Sequence, residues 1–286
     1  MVDFNGEMVQ DQNYFLNHQN RGVRFGDSLF ETVRAVNGKI FFWEDHYLRL
    51  MSSMRILRMD IPMSFTMEFL ERSLYNVLEG NNLQNADAGL RITVFRDKGA
   101  EYTPENNNIS YIIEAEPLAN PFFFLQTEHY EVELFKDFYV NADLLSTLDT
   151  SNKMINVLGG IYAKENGYRD VLFLNHNKQV VASVNGNIFL RQGSTIKTPP
   201  LSDGCGNGVI RKKLMEIVRS LKELTLIEES ISPFDLQKAD ELFLANTWNG
   251  IRPITQYRKK SYVIEISRKL LAALNAKARL EQPSSD

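Results

Sequence analysis

Residues Leu144–Phe189 read LLSTLDTSNKMINVLGGIYAKENGYRDVLFLNHNKQVVASVNGNIF. A polar turn, Ser146 to Asn152, leads into an apolar run whose spacing predicts a helix over Met154–Tyr162, with Gly167 as its stop. Val171–Leu174 and Val180–Ala182 are short apolar runs separated by a turn at Asn175–Asn177, and a third strand is expected from Ile188. Small and polar residues stand at each junction, where a ligand can approach the backbone.

On the N-terminal side, residues 1–42 are expected to be strands. Asn5-Gly6 suits a hairpin turn within Asp3–Val9, and a glycine turn in Arg21–Thr32 feeds a strand over Leu29–Val36. A helix is expected over Glu44–Leu57, with Leu48, Met51 and Ile56 on one side. A second, capped by Ser64, runs over Phe65–Leu78 with a core stripe of Leu70, Leu74, Val77 and Leu78. Leu90–Phe95 and Ser110–Glu114 read as strands. Glu116–Pro121, with two prolines, is the linker candidate. The division implied is 1–117, a linker at 118–124, and 125–286.

On the C-terminal side, Pro199–Arg211 is a glycine-rich loop opening a helix that ends near Lys222. Unbonded amides at a helix start, together with the helix dipole, make such a loop a natural anion cradle. Glu241–Ile254 reads as a strand entering a turn near Gly250. The last helix, Val263–Leu280, precedes a polar tail, Gln282–Asp286.

Composition narrows the function classes. The 286 residues are 43% hydrophobic and 24% charged, with net charge −4, which fits an ordinary folded protein. The pI of about 5.7 offers no basic field for nucleic acid or an anionic membrane. The first residues are too polar for a signal peptide, and no apolar run approaches a membrane span. One cysteine, Cys205, excludes an internal disulfide, so a cytoplasmic setting is the expectation. His18, His46, His129 and His176 show no metal spacing, and no metal is expected.

The ordered motifs resemble the class IV aminotransferases, the fold-type IV pyridoxal-phosphate enzymes that include branched-chain and D-amino-acid aminotransferases and aminodeoxychorismate lyases. The resemblance rests on Asn152-x-x-x-x-Val157-Leu158, Ala163-x-x-x-Gly167, Leu172-x-Leu174-Asn175 and Asn187-Ile188-Phe189. It rests further on Arg21-Gly22…Phe30-Glu31-Thr32, on the His46-x-x-Arg49-Leu50 segment and on Pro199-Pro200-Leu201…Gly208-Val209-Ile210-Arg211. It spans roughly residues 3–260 and implies a two-domain α/β architecture of the D-amino-acid aminotransferase type, working as a dimer.

The same resemblance implies roles. Arg49 would bind the cofactor phosphate through its planar fork of donors. The backbone amides of Val209 and Ile210, and the Thr247 hydroxyl, would complete the phosphate site. The family's Schiff-base lysine lies three or four residues before the asparagine matched by Asn152; here those positions are Asp149 and Leu148. The family's glutamate facing the pyridine nitrogen lies five residues before Asn187, where this chain has Ala182. Phe25 stands for the usual tyrosine and Ser28 for the usual second glycine. A carboxylate at Asp149 cannot form an imine, and an alanine at 182 supplies no charge. Three readings follow. One is a degenerate homologue that keeps a phosphate pocket and binds pyridoxal phosphate, or another small phosphorylated or amino-acid-like ligand, non-covalently. A second is an active aminotransferase or lyase using Lys153 as a surrogate lysine. A third is a non-catalytic, dimer-forming interaction subunit.

Overall fold

The computed structural model describes residues 1–12, 16–99, 101–119 and 122–280, and the chain forms two compact units. The first holds Met1–Phe122 together with Asp149–Asn152; the second holds Phe123–Leu148 and Lys153–Arg279.

The first unit runs β1 (Val2–Phe4), β2 (Glu7–Val9), α1 (Arg21–Phe25), β3 (Ser28–Val36), β4 (Lys39–Ile40), α2 (Trp43–Ile56), α3 (Met67–Gly80), β5 (Ala88–Arg96) and β6 (Ile109–Pro117). Its sheet has the order β2-β1-β6-β5-β3-β4, all pairs antiparallel. Alternation sends Leu29, Val33, Leu90, Ile92 and Ile113 to one face, where Leu50 and Met54 of α2 and Leu70, Leu74, Val77 and Leu78 of α3 close a core. Each such side chain contributes about 1.5–3 kcal/mol by leaving water.

Several expectations shift here. Arg21–Phe25 is a helical turn rather than a loose glycine turn, because Asn20 caps it by accepting from Val23 N at 3.0 Å. The cap of α3 is Thr66, not Ser64, since the Thr66 hydroxyl is the one that reaches the Phe69 amide. Leu48 is 54% exposed. The buried stripe of α2 centres on His46, Leu50 and Met54, and a residue two places from Leu50 faces the opposite way. Glu116 and Pro117 continue β6 instead of starting a linker. Pro117 pairs with Ala88, while β1 reaches β6 only at Ile112 and Ile113, so the missing proline amide faces no partner strand. Residues 120 and 121 of the expected linker, and the Gln282–Asp286 tail, lie outside the described residues.

The second unit runs β7 (Glu131–Val140), a 3-10 turn at Leu145–Thr147, α4 (Met154–Glu165), β8 (Asp170–Asn175), β9 (Val180–Ser183), β10 (Asn187–Gln192), β11 (Thr195–Thr198), α5 (Val209–Ser220), β12 (Thr225–Glu228), α6 (Pro233–Lys238), β13 (Glu241–Asn246), β14 (Gly250–Ile254), β15 (Gln256–Tyr257), β16 (Lys260–Ser261) and α7 (Ile266–Leu280). Two five-stranded sheets result, β12-β11-β10-β13-β14 and β16-β15-β7-β8-β9. They share a core built from Val132, Leu172, Leu174, Ile188, Leu190, Leu242 and Leu244. α4 packs against β7 and β8, and α5 against β12 and β13. The turn expected near Gly250 occupies residues 247–249, and Gly250 already belongs to β14. β7 escaped the sequence reading because a bulge between Phe135 and Val140 breaks its period of two.

Candidate functional site

In the first unit the site begins with a carboxylate on the wrong side of a strand. Glu31 shares the core-facing side of β3 with Leu29 and Val33, and burying it unpaired would cost several kcal/mol. Two residues one turn apart on α2 supply its partners. Arg49 donates from Nε to Glu31 Oε2 at 2.9 Å and from Nη2 to Oε1 at 2.6 Å, a bidentate fork, and His46 Nδ1 lies 2.6 Å from the same Oε1.

The third nitrogen of that guanidinium turns outward, and Nη1 donates to Asp149 Oδ2 at 2.9 Å. Exposure rises along the chain of groups: His46 and Glu31 are buried, Arg49 is 14% exposed and Asp149 32%. Burial alone would lower the Arg49 pKa, but the carboxylates of Glu31 and Asp149 outweigh it and hold the group above its ordinary value.

Asp149 arrives on a segment clipped to β3. β4 pairs only with Ala35 and Val36, which leaves that edge open at Ser28–Phe30. There Phe30 N donates to Asp149 O at 2.8 Å, Ser151 N to Ser28 O at 3.0 Å, and the Ser28 hydroxyl to that of Ser151 at 2.6 Å. Thr150 completes an antiparallel bridge with Leu29. Asn152 Nδ2 reaches Gly26 O at 3.3 Å. Gly26 has φ +64°, and a Cβ there would collide with the Asn152 side-chain oxygen, so glycine is required on both counts.

In the second unit the glycine-rich loop delivers an open helix start. Gly208 is the residue before α5 and no side chain caps the helix, so the amides of Val209 and Ile210 begin it while their side chains are buried. Asn187, at the start of β10, donates from Nδ2 to Gly206 O at 2.7 Å, and its Oδ1 would lie 2.5 Å from a Cβ on Gly208. Asn187 also pairs with Ala245 on β13, and Asn246 Nδ2 donates to Asn185 O at 2.7 Å. Residues 185–187, 206–208 and 245–247 therefore meet at one end of the sheet, with half-buried Thr247 in the turn that follows.

Ala182 lies on β9 opposite Phe173, its methyl packed on the apolar cluster of Phe135, Val171 and Phe173. Lys153 is the residue before α4, half-buried, and its side chain makes no capping bond to the helix. Among the described residues no three of His, Cys, Asp and Glu are grouped to hold a metal.

Of the residues singled out from sequence, Arg49 and Asp149 are brought together by one ion pair, while Val209, Ile210 and Thr247 belong to the other unit. Glu31 and Asn187 were quoted as motif letters only, and His46 as a motif letter and as a histidine without metal spacing. The signals that could have found them were a carboxylate at an inward position of an alternating strand, a His and an Arg three apart on one helix, and an asparagine opening a strand.

The family model for amino-transferase class IV matches residues 28–257. A D-alanine aminotransferase of Staphylococcus epidermidis is 26% identical over 262 residues, covering 89% of this chain and 88% of that protein. The branched-chain aminotransferase of Thermoproteus uzoniensis, solved with norvaline, superposes with TM-score 0.85 at 24% identity, covering 96% of this chain and 92% of the other. The branched-chain amino acid aminotransferase from Escherichia coli gives TM-score 0.84 at 21% identity, covering 95% and 92%. At these identities the structural likenesses establish the fold alone, whereas the family model spans both the Glu31–Arg49–Asp149 chain and the open start of α5. The chain belongs to the class IV aminotransferase family.

Proposed function

We propose that this chain is a class IV aminotransferase homologue that has given up lysine chemistry and holds a small phosphorylated or amino-acid-like ligand without a covalent link. The observation that carries the reading is the ion pair at position 149. An acid committed to Arg49 stands where the resemblance expects the amine.

Pyridoxal phosphate, whose aldehyde would ordinarily meet a lysine, fits these residues at one end only. The uncapped start of α5, with Gly208 held against Asn187, suits a phosphate. The covalent end does not fit: Asp149 cannot bond to an aldehyde carbon, and the Ala182 methyl offers no carboxylate to a ring nitrogen. No reaction step is therefore assigned to the cofactor in this chain.

The test is the absorbance of purified protein with added pyridoxal phosphate, before and after borohydride. The expected result is cofactor that dialyses away and leaves no fixed adduct. A fixed adduct on any side chain, Lys153 included, would overturn the proposal, and failure to bind phosphate or pyridoxal phosphate at all would overturn the cradle. A homodimer belongs to the same reading. Met154, Val157 and Ile161, on one side of α4, are 67%, 54% and 48% exposed, an apolar stripe that a second copy would cover. A cytoplasmic setting belongs to it too, given a lone buried cysteine and, among the described residues, no helix long and apolar enough to cross a membrane.

A further inference from the structure

Beside α1 and the chain that leaves β5, the first unit holds a cavity of about 290 Å³. It shares no residue with the Glu31–Arg49–Asp149 chain or with the start of α5. Its size stands at the small end of ligand pockets, which run from about 300 to 1,000 Å³. Phe4, Phe95 and Leu16 make part of the lining apolar, and Asp97 and Asn20 bring polar groups to it. The Asp97 carboxylate is held by a relay: Asn5 Nδ2 donates to the Ser110 hydroxyl at 3.0 Å, and that hydroxyl donates to Asp97 Oδ1. Ser110 is only 8% exposed, so the relay is fixed from inside the fold. Asp97 Oδ2 has no hydrogen-bond partner among the described residues. Asn20, equally buried, spends its oxygen on Val23 N, which leaves its amide nitrogen without a partner among the described residues. A buried donor left unpaired costs free energy that an entering acceptor would recover.

The sign of the ligand follows from which charges are already engaged. Arg21, behind Gly99, spends Nε on Asp27 and its two terminal nitrogens on the carbonyls of Gly99, Glu101 and Tyr102. Asp27 in turn pairs with Arg96 as well as Arg21. Lys98 and Glu105, of opposite charge, are both exposed at the rim. An entering anion would therefore meet one exposed ammonium, whereas an entering ammonium would meet a carboxylate already fixed in place. A bare metal ion would gain nothing from the apolar lining. We propose that this cavity binds a small primary amine with an apolar body and an oxygen acceptor near the amine, the chemistry that amino acids and amino alcohols share. The ammonium donates to Asp97 Oδ2, the oxygen accepts from Asn20 Nδ2, and the hydrocarbon lies on Phe4, Phe95 and Leu16.

The test is a calorimetric titration of the parent protein, Asp97→Asn and Leu16→Trp with leucinol, leucine, isoamylamine and isocaproate. Leucinol or leucine should bind the parent; isoamylamine, which lacks the oxygen, should bind more weakly, and isocaproate, which lacks the amine, more weakly still. Binding by either of the first two supports the proposal, and the tighter of them tells whether the oxygen is neutral or charged. Asp97→Asn keeps the shape but removes the charge and should weaken binding by about tenfold or more. Leu16→Trp fills the cavity without touching any of these hydrogen bonds and should abolish binding, which covers the case in which the Asp97 variant does not fold. Gly208→Ala should leave amine binding unchanged, so this cavity and the α5 cradle fail separately. Isocaproate or isoamylamine binding as tightly as leucinol, binding unaltered in either folded variant of the cavity, or no heat from any probe would each overturn the proposal.

Discussion

Placing at positions 149 and 182 the side chains that the resemblance implies, Asp149→Lys with Ala182→Glu, makes the sharpest experiment on this chain. Asp149 Oδ2 lies 2.9 Å from Arg49 Nη1. Two unit charges about 4 Å apart interact by about 4 kcal/mol at an effective dielectric of 20, and slightly more at closer range. Asp149 is about a third exposed, and solvent screening and side-chain entropy reduce such a pair to about 1 kcal/mol. Asp149→Lys removes that attraction and substitutes a repulsion of similar size, a cost of about 2 kcal/mol in total. Ala182→Glu places a carboxylate against an apolar cluster, at a further cost of about 1–3 kcal/mol. The doubly substituted protein should therefore melt roughly 5–15 °C lower without ligand. The same changes raise the charge at position 149 by two units and supply an amine. Pyridoxal phosphate should then survive gel filtration, restore part of the lost stability, and become permanently attached after borohydride, with peptide mapping placing it at position 149. Ala182→Glu alone should retain none. Retention equal to that of the parent protein would show that positions 149 and 182 are not the two reactive positions.

Other consequences follow from single contacts. Glu31→Ala leaves Arg49 and His46 without their buried carboxylate and should cost about 3–5 kcal/mol by urea unfolding, several times the effect of Asp149→Ala. Equal costs would refute the gradient of burial along that chain. Gly208→Ala forces a Cβ to 2.5 Å from Asn187 Oδ1, and calorimetry should record loss of phosphate binding with little change in Tm. Burial pushes the Cys205 thiol up to about 11, so at pH 8 native protein should react with thiol reagents about a hundredfold more slowly than unfolded chain. A folded pKa above the unfolded one also means that this group's contribution to stability is intact below its ordinary range and is lost as pH rises toward 11; unfolding titrations across that window measure it. If the proposed homodimer forms through the α4 stripe, Val157→Glu, at a half-exposed position of it, should leave monomer alone in sedimentation without changing the fold.

Much of this was legible because it is local. The core stripe of α3 follows from the 3.6-residue period, and Leu70, Leu74, Val77 and Leu78 are fully buried as that period requires. The Asn5-Gly6 hairpin, the runs that became β8, β9 and β10, and the open start of α5 depend on neighbours a few residues apart. Failures came where distant contacts overruled local signals. Leu48 faces solvent because His46 and Arg49 must reach Glu31, which fixes the roll of α2. Pro117 extends β6 because no strand needs its amide.

The family frame, the acid at 149 and the alanine at 182 are identities at fixed spacings, and the chain of letters was enough to establish them. What the acid does there was a matter for the fold. Only folding sets a loop from residue 149 on the open edge of β3, 100 positions from Arg49, and turns the third nitrogen of a buried guanidinium toward it. Ion pairing depends on distance in space, and no spacing along the chain encodes that distance.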